Sequence, residues 1–97
     1  MIRNIAGAVT QDIYDGSNSR HSRKVPQGLH GKARRLLDQI NAAPRLEVLR
    51  VPPGNRLEKL KGKLSSYWSV RVNDQWRIIF QYKDGDALNV QIVDYHD

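Results

Sequence analysis

Asp94, Tyr95 and His96 stand side by side near the C-terminal end of the sequence. All three are proton-transfer groups. An imidazole titrates near neutrality, with an ordinary pKa of about 6.5. A neighbouring carboxylate can orient the ring and stabilise its charged form. A regular strand through "ALNVQIVDYH" puts Leu88, Val90 and Ile92 on one side. Asp94 and His96 continue that side, and Tyr95 turns away from it. A frayed, solvated tail would carry the same letters, so the triplet alone is a weak motif.

Two arginines suggest a second kind of chemistry. Arg71 and Arg77 lie inside "YWSVRVNDQWRIIFQY", residues 67–82, whose alternating runs around "NDQ" read as a β-hairpin. With "NDQ" as the loop, Val72 faces Trp76, Val70 faces Ile78 and Trp68 faces Phe80. All six then share one apolar side. With "ND" alone as the loop the faces mix. A one-residue slip moves every side chain to the other face, so burial selects the first register. Arg71 and Arg77 become cross-strand neighbours on the opposite face, where like charges repel. Water can screen them, or an anion can sit between them. Guanidinium forks match a phosphate well. A solvated outer face satisfies the same pattern, and periodicity does not choose.

No metal site and no cofactor are expected. There is no cysteine, which also removes disulfides. His21, His30 and His96 are scattered, with no pair on one helical face. No Gly-rich phosphate loop, nucleophile elbow or dinucleotide fingerprint occurs.

The elements that must position these groups run as one strand, helices, then three strands. Ile2–Ala6 alternates weakly, as a first strand would. Ala8–Tyr14 reads as a short helix, with Val9 and Ile13 on one side. Residues 15–24, "DGSNSRHSRK", are polar and Ser-rich and read as a mobile loop. Arg20, His21, Arg23 and Lys24 there can touch an anion, although solvation explains each of them singly. Pro26 suits the start of a helix. Leu29, Ala33, Leu36, Leu37 and Ile40 then make one apolar stripe at helical spacing, with Lys32, Arg34, Arg35 and Asp38 opposite. Gly28 and Gly31 weaken the first turn, and Asn41 and Pro44 end the helix. "RLEVLR", 45–50, adds a further turn. Residues 51–66 carry Leu57, Leu60 and Leu64 among glycines and prolines, and read as a packed connection of fixed path. A β-meander follows: Tyr67–Val72, Trp76–Tyr82, a "KDGD" turn at 83–86, and Ala87–Tyr95. The expectation is α+β, a small antiparallel sheet of three to four strands with helices on one face.

The 97 residues suffice for a single domain, 1–97, with one modest core. Hydrophobic residues at 39% and charged residues at 27% fit a folded, soluble chain. No apolar run approaches the roughly 20 residues of a membrane helix. "MIRNIAGAVTQD" holds no apolar stretch with a small-residue cleavage site, so no secretory leader and no membrane association are expected. The cysteine count is compatible with the cytosol. The formal charge of +6, from sixteen Lys and Arg against ten Asp and Glu, favours a polyanionic partner, nucleic acid first. Solubility alone would also account for it.

Three stretches, "PPGNRLEKLKG", "YWSVRVNDQWRIIFQY" and the terminal "IVDYH", resemble the HigB toxins of the RelE/ParE superfamily in order and spacing. The resemblance covers most of the chain and is only general in the N-terminal third. It implies a cytoplasmic, ribosome-dependent mRNA endonuclease that inhibits translation. It implies neutralisation by a cognate antitoxin, commonly one with a helix-turn-helix DNA-binding domain. It implies metal-independent attack of the RNA 2′-hydroxyl on the adjacent phosphate. Carried over position by position, Arg77 is implied as a phosphate ligand and Lys61 as a second cation. Asp94, Tyr95 and His96 are implied as acid–base and positioning groups. Arg56, Lys59 and Lys63 flank Lys61 on the same expected RNA path. Arg71 has no family role and is expected as a further RNA-backbone contact. Some relatives place a histidine three residues before the lysine, where this chain has Glu58. A carboxylate can act as a base, but its ordinary pKa of about 4.3 makes it a poor acid near neutrality. The expectation is slower catalysis carried mainly by His96. Two other readings stand beside it: a gyrase-inhibiting ParE-like toxin of the same superfamily, which would have no need of the Asp-Tyr-His triplet, and a non-catalytic binding module with a degenerate site.

Overall fold

The computed structural model of the chain describes residues 1–95. Its elements are helices α1 (Ala8–Asp15) and α2 (His30–Ala42) and strands β1 (Glu58–Lys59), β2 (Trp68–Arg71), β3 (Trp76–Lys83) and β4 (Asp86–Asp94). The strands form one antiparallel sheet in the order β1-β2-β3-β4.

A single asparagine closes the central hairpin. Asn73 Oδ1 accepts the backbone amides of Gln75 (2.9 Å) and Trp76 (2.7 Å), a side-chain closure that asparagine favours in turns. The amide of Val72 donates to the carbonyl of Trp76 at 2.9 Å. Trp68 pairs with Phe80, Val70 with Ile78 and Arg71 with Arg77, the register that burial demanded. Val70, Val72, Ile78 and Phe80 are wholly buried. Burying each such side chain stabilises the fold by about 1.5–3 kcal/mol.

Both helices cover this apolar face. Ile13 of α1 and Ala33, Leu36, Leu37 and Ile40 of α2 complete the core against the sheet. Thr10 Oγ1 accepts the Ile92 amide at 2.9 Å and ties α1 to β4. The sequence places the start of the second helix at Pro26. Gln27–Leu29 is instead a 3-10 turn, and regular helix begins at His30. Gly28 in that turn, with no side-chain cap ahead of α2, explains the late start.

Three expectations change. First, Ile2–Ala6 is not a ladder strand. Its backbone pairing with β4 is two isolated parallel bridges, Ile2 with Ala87 and Ile5 with Val90, and not a ladder. The fourth strand comes instead from β1, inside the stretch expected to be a packed connection. Second, residues 15–24 are tied down rather than mobile. Ser19 Oγ donates to Asp12 Oδ2 at 2.6 Å, Ser22 is wholly buried, and Ser22–Lys24 forms a 3-10 turn. Serines make a loop polar without making it loose when they bond to each other's backbone.

Third, the last strand does not keep one parity. Ile79 pairs with Gln91 but Gln81 pairs with Leu88, so β4 carries one extra residue there. The bulge sits at Asn89, whose φ of 52° asparagine tolerates better than most residues. Asn89 is held by Gln81 Oε1 (2.6 Å) and by the Asn4 amide group (2.8 Å). Ala87, not Leu88, therefore joins Val90 and Ile92 in the core.

Asp86 anchors the N-terminal segment at the start of β4. Arg3 Nε donates to Asp86 Oδ2 at 2.9 Å. The Arg3 guanidinium holds the Asp86 carboxyl below the usual aspartate range. A depressed folded-state pKa gives stability that is present above the ordinary aspartate value of about 3.9 and lost as pH falls through the folded value. Acidification below about pH 4 should thus loosen residues 1–6 from β4. Asp86→Asn should show the same loosening at pH 7. Hydrogen-exchange protection at the Arg3, Ala6 and Val90 amides reads both; unchanged protection in the variant would remove Asp86 from this role.

Candidate active site

The face of the sheet away from the helices carries the charged residues. β1 decides which of them meet. Glu58 pairs with Ser69 and Lys59 with Trp68. Glu58 therefore shares a face with Ser69, Arg71 and Arg77. Lys59 points to the other face, where its Nζ lies 5.0 Å from the Trp68 ring centroid. The path into β1 is fixed by Asn55, which is buried. Its Nδ2 donates to Leu49 O (3.1 Å), Val51 O (3.3 Å) and Gln39 Oε1 (3.1 Å). Asn55→Ala leaves three acceptors without this donor and should cost about 1–3 kcal/mol. Denaturant unfolding checks it, and a change below a few tenths would show that water replaces the amide.

The outer face is not a plain solvated surface. Ser69, Ile79 and Leu60 are buried on it, and the Arg77 side chain is only 12% exposed. Arg77 Nη1 donates to Ser69 Oγ at 3.1 Å, and its guanidinium carbon lies 5.3 Å from the Tyr95 ring centroid. Glu58 Oε2 is 3.9 Å from Arg77 Nη1, and Glu58 Oε1 is 3.8 Å from Arg56 Nε. Arg71 pairs with Asp74 at the hairpin tip. The two opposed arginines thus each have a separate carboxylate, which offsets the like-charge repulsion.

Glu58, Lys59, Leu60, Lys61 and Tyr95 line a cleft of about 270 Å³ beside Arg77. Lys61 is exposed at its edge, where Gly62, with a φ of 65°, turns the chain away from β1. Lys63 is exposed in the following 3-10 turn, Gly62–Leu64. A larger cavity of about 320 Å³ lies between α2 and the turn at 52–55 and contains none of the expected site residues.

Tyr95 joins the cluster, and Asp94 does not. The Tyr95 amide donates to Gln75 O at 2.7 Å, which holds it beyond the last ladder pair. Asp94 pairs with Trp76 in register and accepts from Gln75 Nε2 at 3.1 Å. It lies on the side of the strand away from Tyr95, as the alternation after the bulge requires. His96 lies outside the described residues. Among the described residues no cluster of His, Asp and Glu could hold a metal ion, and no helix is long and apolar enough to cross a membrane. Sequence reasoning missed Ser69. Its signal was present: a small hydroxyl in "WSVR", diagonal to Arg77 in the chosen register.

A four-stranded antiparallel sheet with helices on one face and cations on the other defines a RelE-superfamily toxin fold. YafQ from E. coli strain BL21(DE3) superposes with a TM-score of 0.57 over 95% of this chain and 89% of its own, at 17% identity. A YoeB-YefM complex from Staphylococcus aureus matches with a TM-score of 0.56, covering 97% of each chain at 21% identity. Residues 9–96 match the family described as the RelE-like toxin of type II toxin–antitoxin system HigB. The chain belongs to that family. It is 44% identical over 82 residues to Toxin HigB-1 of Vibrio cholerae, covering 84% of each chain. It is 46% identical over 41 residues to Endoribonuclease HigB of Proteus vulgaris, covering 42% of this chain and 45% of that one. Family and named relative together place it in the class of endoribonuclease toxins, with an antitoxin as partner.

Proposed function

We propose that this toxin, acting as one domain over residues 1–97 in the cytoplasm, cuts mRNA on the translating ribosome. The 2′-oxygen of one nucleotide attacks its own 3′-phosphate. A P–O2′ bond forms, the P–O5′ bond breaks, and a 2′,3′-cyclic phosphate and a 5′-hydroxyl result. One proton leaves the 2′-hydroxyl and one reaches the departing 5′-oxygen. The observation that carries this reading is Arg77, nearly buried, fixed by Ser69 and Tyr95, and bordering a cleft that also holds Lys61. Negative charge grows on the phosphate oxygens in the transition state. A cation already held in place stabilises that charge without reorganising. Lys61 adds a second positive charge at the rim. Tyr95 braces Arg77 with its ring face. His96 is assigned the proton transfers, with Asp94 as the neighbour that orients it.

Arg56, which pairs with Glu58, and Lys63, in the turn after Lys61, are assigned to the RNA backbone. Lys59 and Arg71 are weaker candidates, because Trp68 and Asp74 already engage them. The antitoxin is proposed to carry a helix-turn-helix DNA-binding domain. Primer-extension mapping tests the whole reading. A message under translation should acquire toxin-dependent 5′ ends inside its coding region, and the same RNA without ribosomes should be cut poorly. Equal cutting of naked RNA would overturn ribosome dependence. No cutting of either, with loss of supercoiling by purified gyrase, would favour the ParE-like reading.

A further inference from the structure

Among the described residues that line the cleft, Glu58 is the one whose charge is wrong for RNA. Its carboxylate stands between two guanidinium groups, 3.8 Å from Arg56 and 3.9 Å from Arg77. Those are ion-pair distances, too long for hydrogen bonds. The Glu58 side chain is 49% exposed, whereas that of Arg77 is 12% exposed. Arg77 has two further holds, the Ser69 hydroxyl and the Tyr95 ring. An arriving phosphodiester that wants Arg77 would therefore displace the loose partner and leave the fixed one in place.

We propose that Glu58 is an internal stand-in for the RNA phosphate. It occupies the anion position between Arg56 and Arg77 in the free toxin, keeps the two guanidinium groups apart and oriented, and yields that position to the scissile or an adjacent phosphate. This inference rests on the reading of Arg77 as a phosphate ligand. It makes Glu58 a positioning residue and a brake on RNA affinity, not the general base. A phosphate entering a pair of arginines already half neutralised by Glu58 gains less charge compensation than the bare pair would give. Without Glu58 the same phosphate meets uncompensated cations.

The test uses the full chain and a short single-stranded oligoribonucleotide methylated at every 2′-oxygen, which binds but cannot be cut. Glu58→Gln keeps the side chain's shape and removes its charge. It should tighten binding by about 2–5-fold, the worth of an exposed ion pair. It should also steepen the dependence of log Kd on log salt by about 0.7, the release expected for one single-strand phosphate contact. Glu58→Ala should move both readings the same way. On ribosome-bound message, Glu58→Gln should lower KM. Unchanged binding with kcat reduced about 10²-fold or more would overturn the stand-in and make Glu58 a base. Weaker binding would overturn it too. Arg77→Ala separates the two levels. If that variant binds the oligonucleotide as the wild type does, the phosphate-ligand reading itself fails, whatever Glu58 does.

Discussion

Arg77→Ala should lower single-turnover cleavage of a ribosome-bound message by about 10²–10³-fold, the usual loss when one pre-placed donor to a developing anion is removed. The fold should survive. Arg77 lies on the outer face of the sheet, and its loss relieves the like charge on Arg71 directly across the ladder. The Ser69 hydroxyl and Tyr95 ring lose a partner, which costs about 1 kcal/mol. A circular-dichroism melt within a few degrees of wild type, alongside the kinetic loss, is the expected pair of results. Arg77→Lys adds a finer reading. Lysine keeps the charge but lacks the planar fork that bonds Ser69 and lies over Tyr95. Its rate should fall between the two. A fully active Arg77→Ala variant would remove the proposed site altogether, because no other described cation on this face is held so firmly.

His96→Ala should cost more, about 10²–10⁴-fold in the chemical step, the range for a lost general acid–base group. Binding of the uncleavable oligonucleotide should change far less than the rate, because the role assigned to His96 is proton transfer. That split distinguishes it from Arg77→Ala, which should lose both. Growth of bacteria expressing the variant without antitoxin gives the coarse answer. Primer extension on a translated message gives the direct one. A fully active His96→Ala variant would move the proton transfers to another group.

The arginines of the hairpin separate two kinds of information. Their position on the outer face was legible from alternation, because a period of two leaves only two faces and the six apolar partners fill one of them. Their electrostatic partners were not legible. Asp74 is local to Arg71, three residues on, and could have been guessed. Glu58 is far from Arg77 in sequence and reaches it only because β1 adds to the edge of β2. A two-residue strand has no periodicity to detect. The bulge at Asn89 was hidden for a similar reason. It depends on what Gln81 and Asn4 offer its side chain from other elements. Below the bulge, parity reading failed at Ala87 and Leu88. Above it, the same reading placed Asp94 and Tyr95 on opposite sides, as they lie.

The sequence by itself determined the hairpin register, the apolar stripe of α2, the α+β class and the resemblance to HigB toxins. Each is carried by residues close together in the chain, where turn chemistry and side-chain period act directly. Tertiary structure alone decided that Glu58, Ser69, Arg77 and Tyr95 form one cluster, that Lys59 belongs to Trp68, and that the polar loop is tied to α1. Those contacts join residues from separate elements. Their geometry follows from how the whole core closes, which no local pattern encodes.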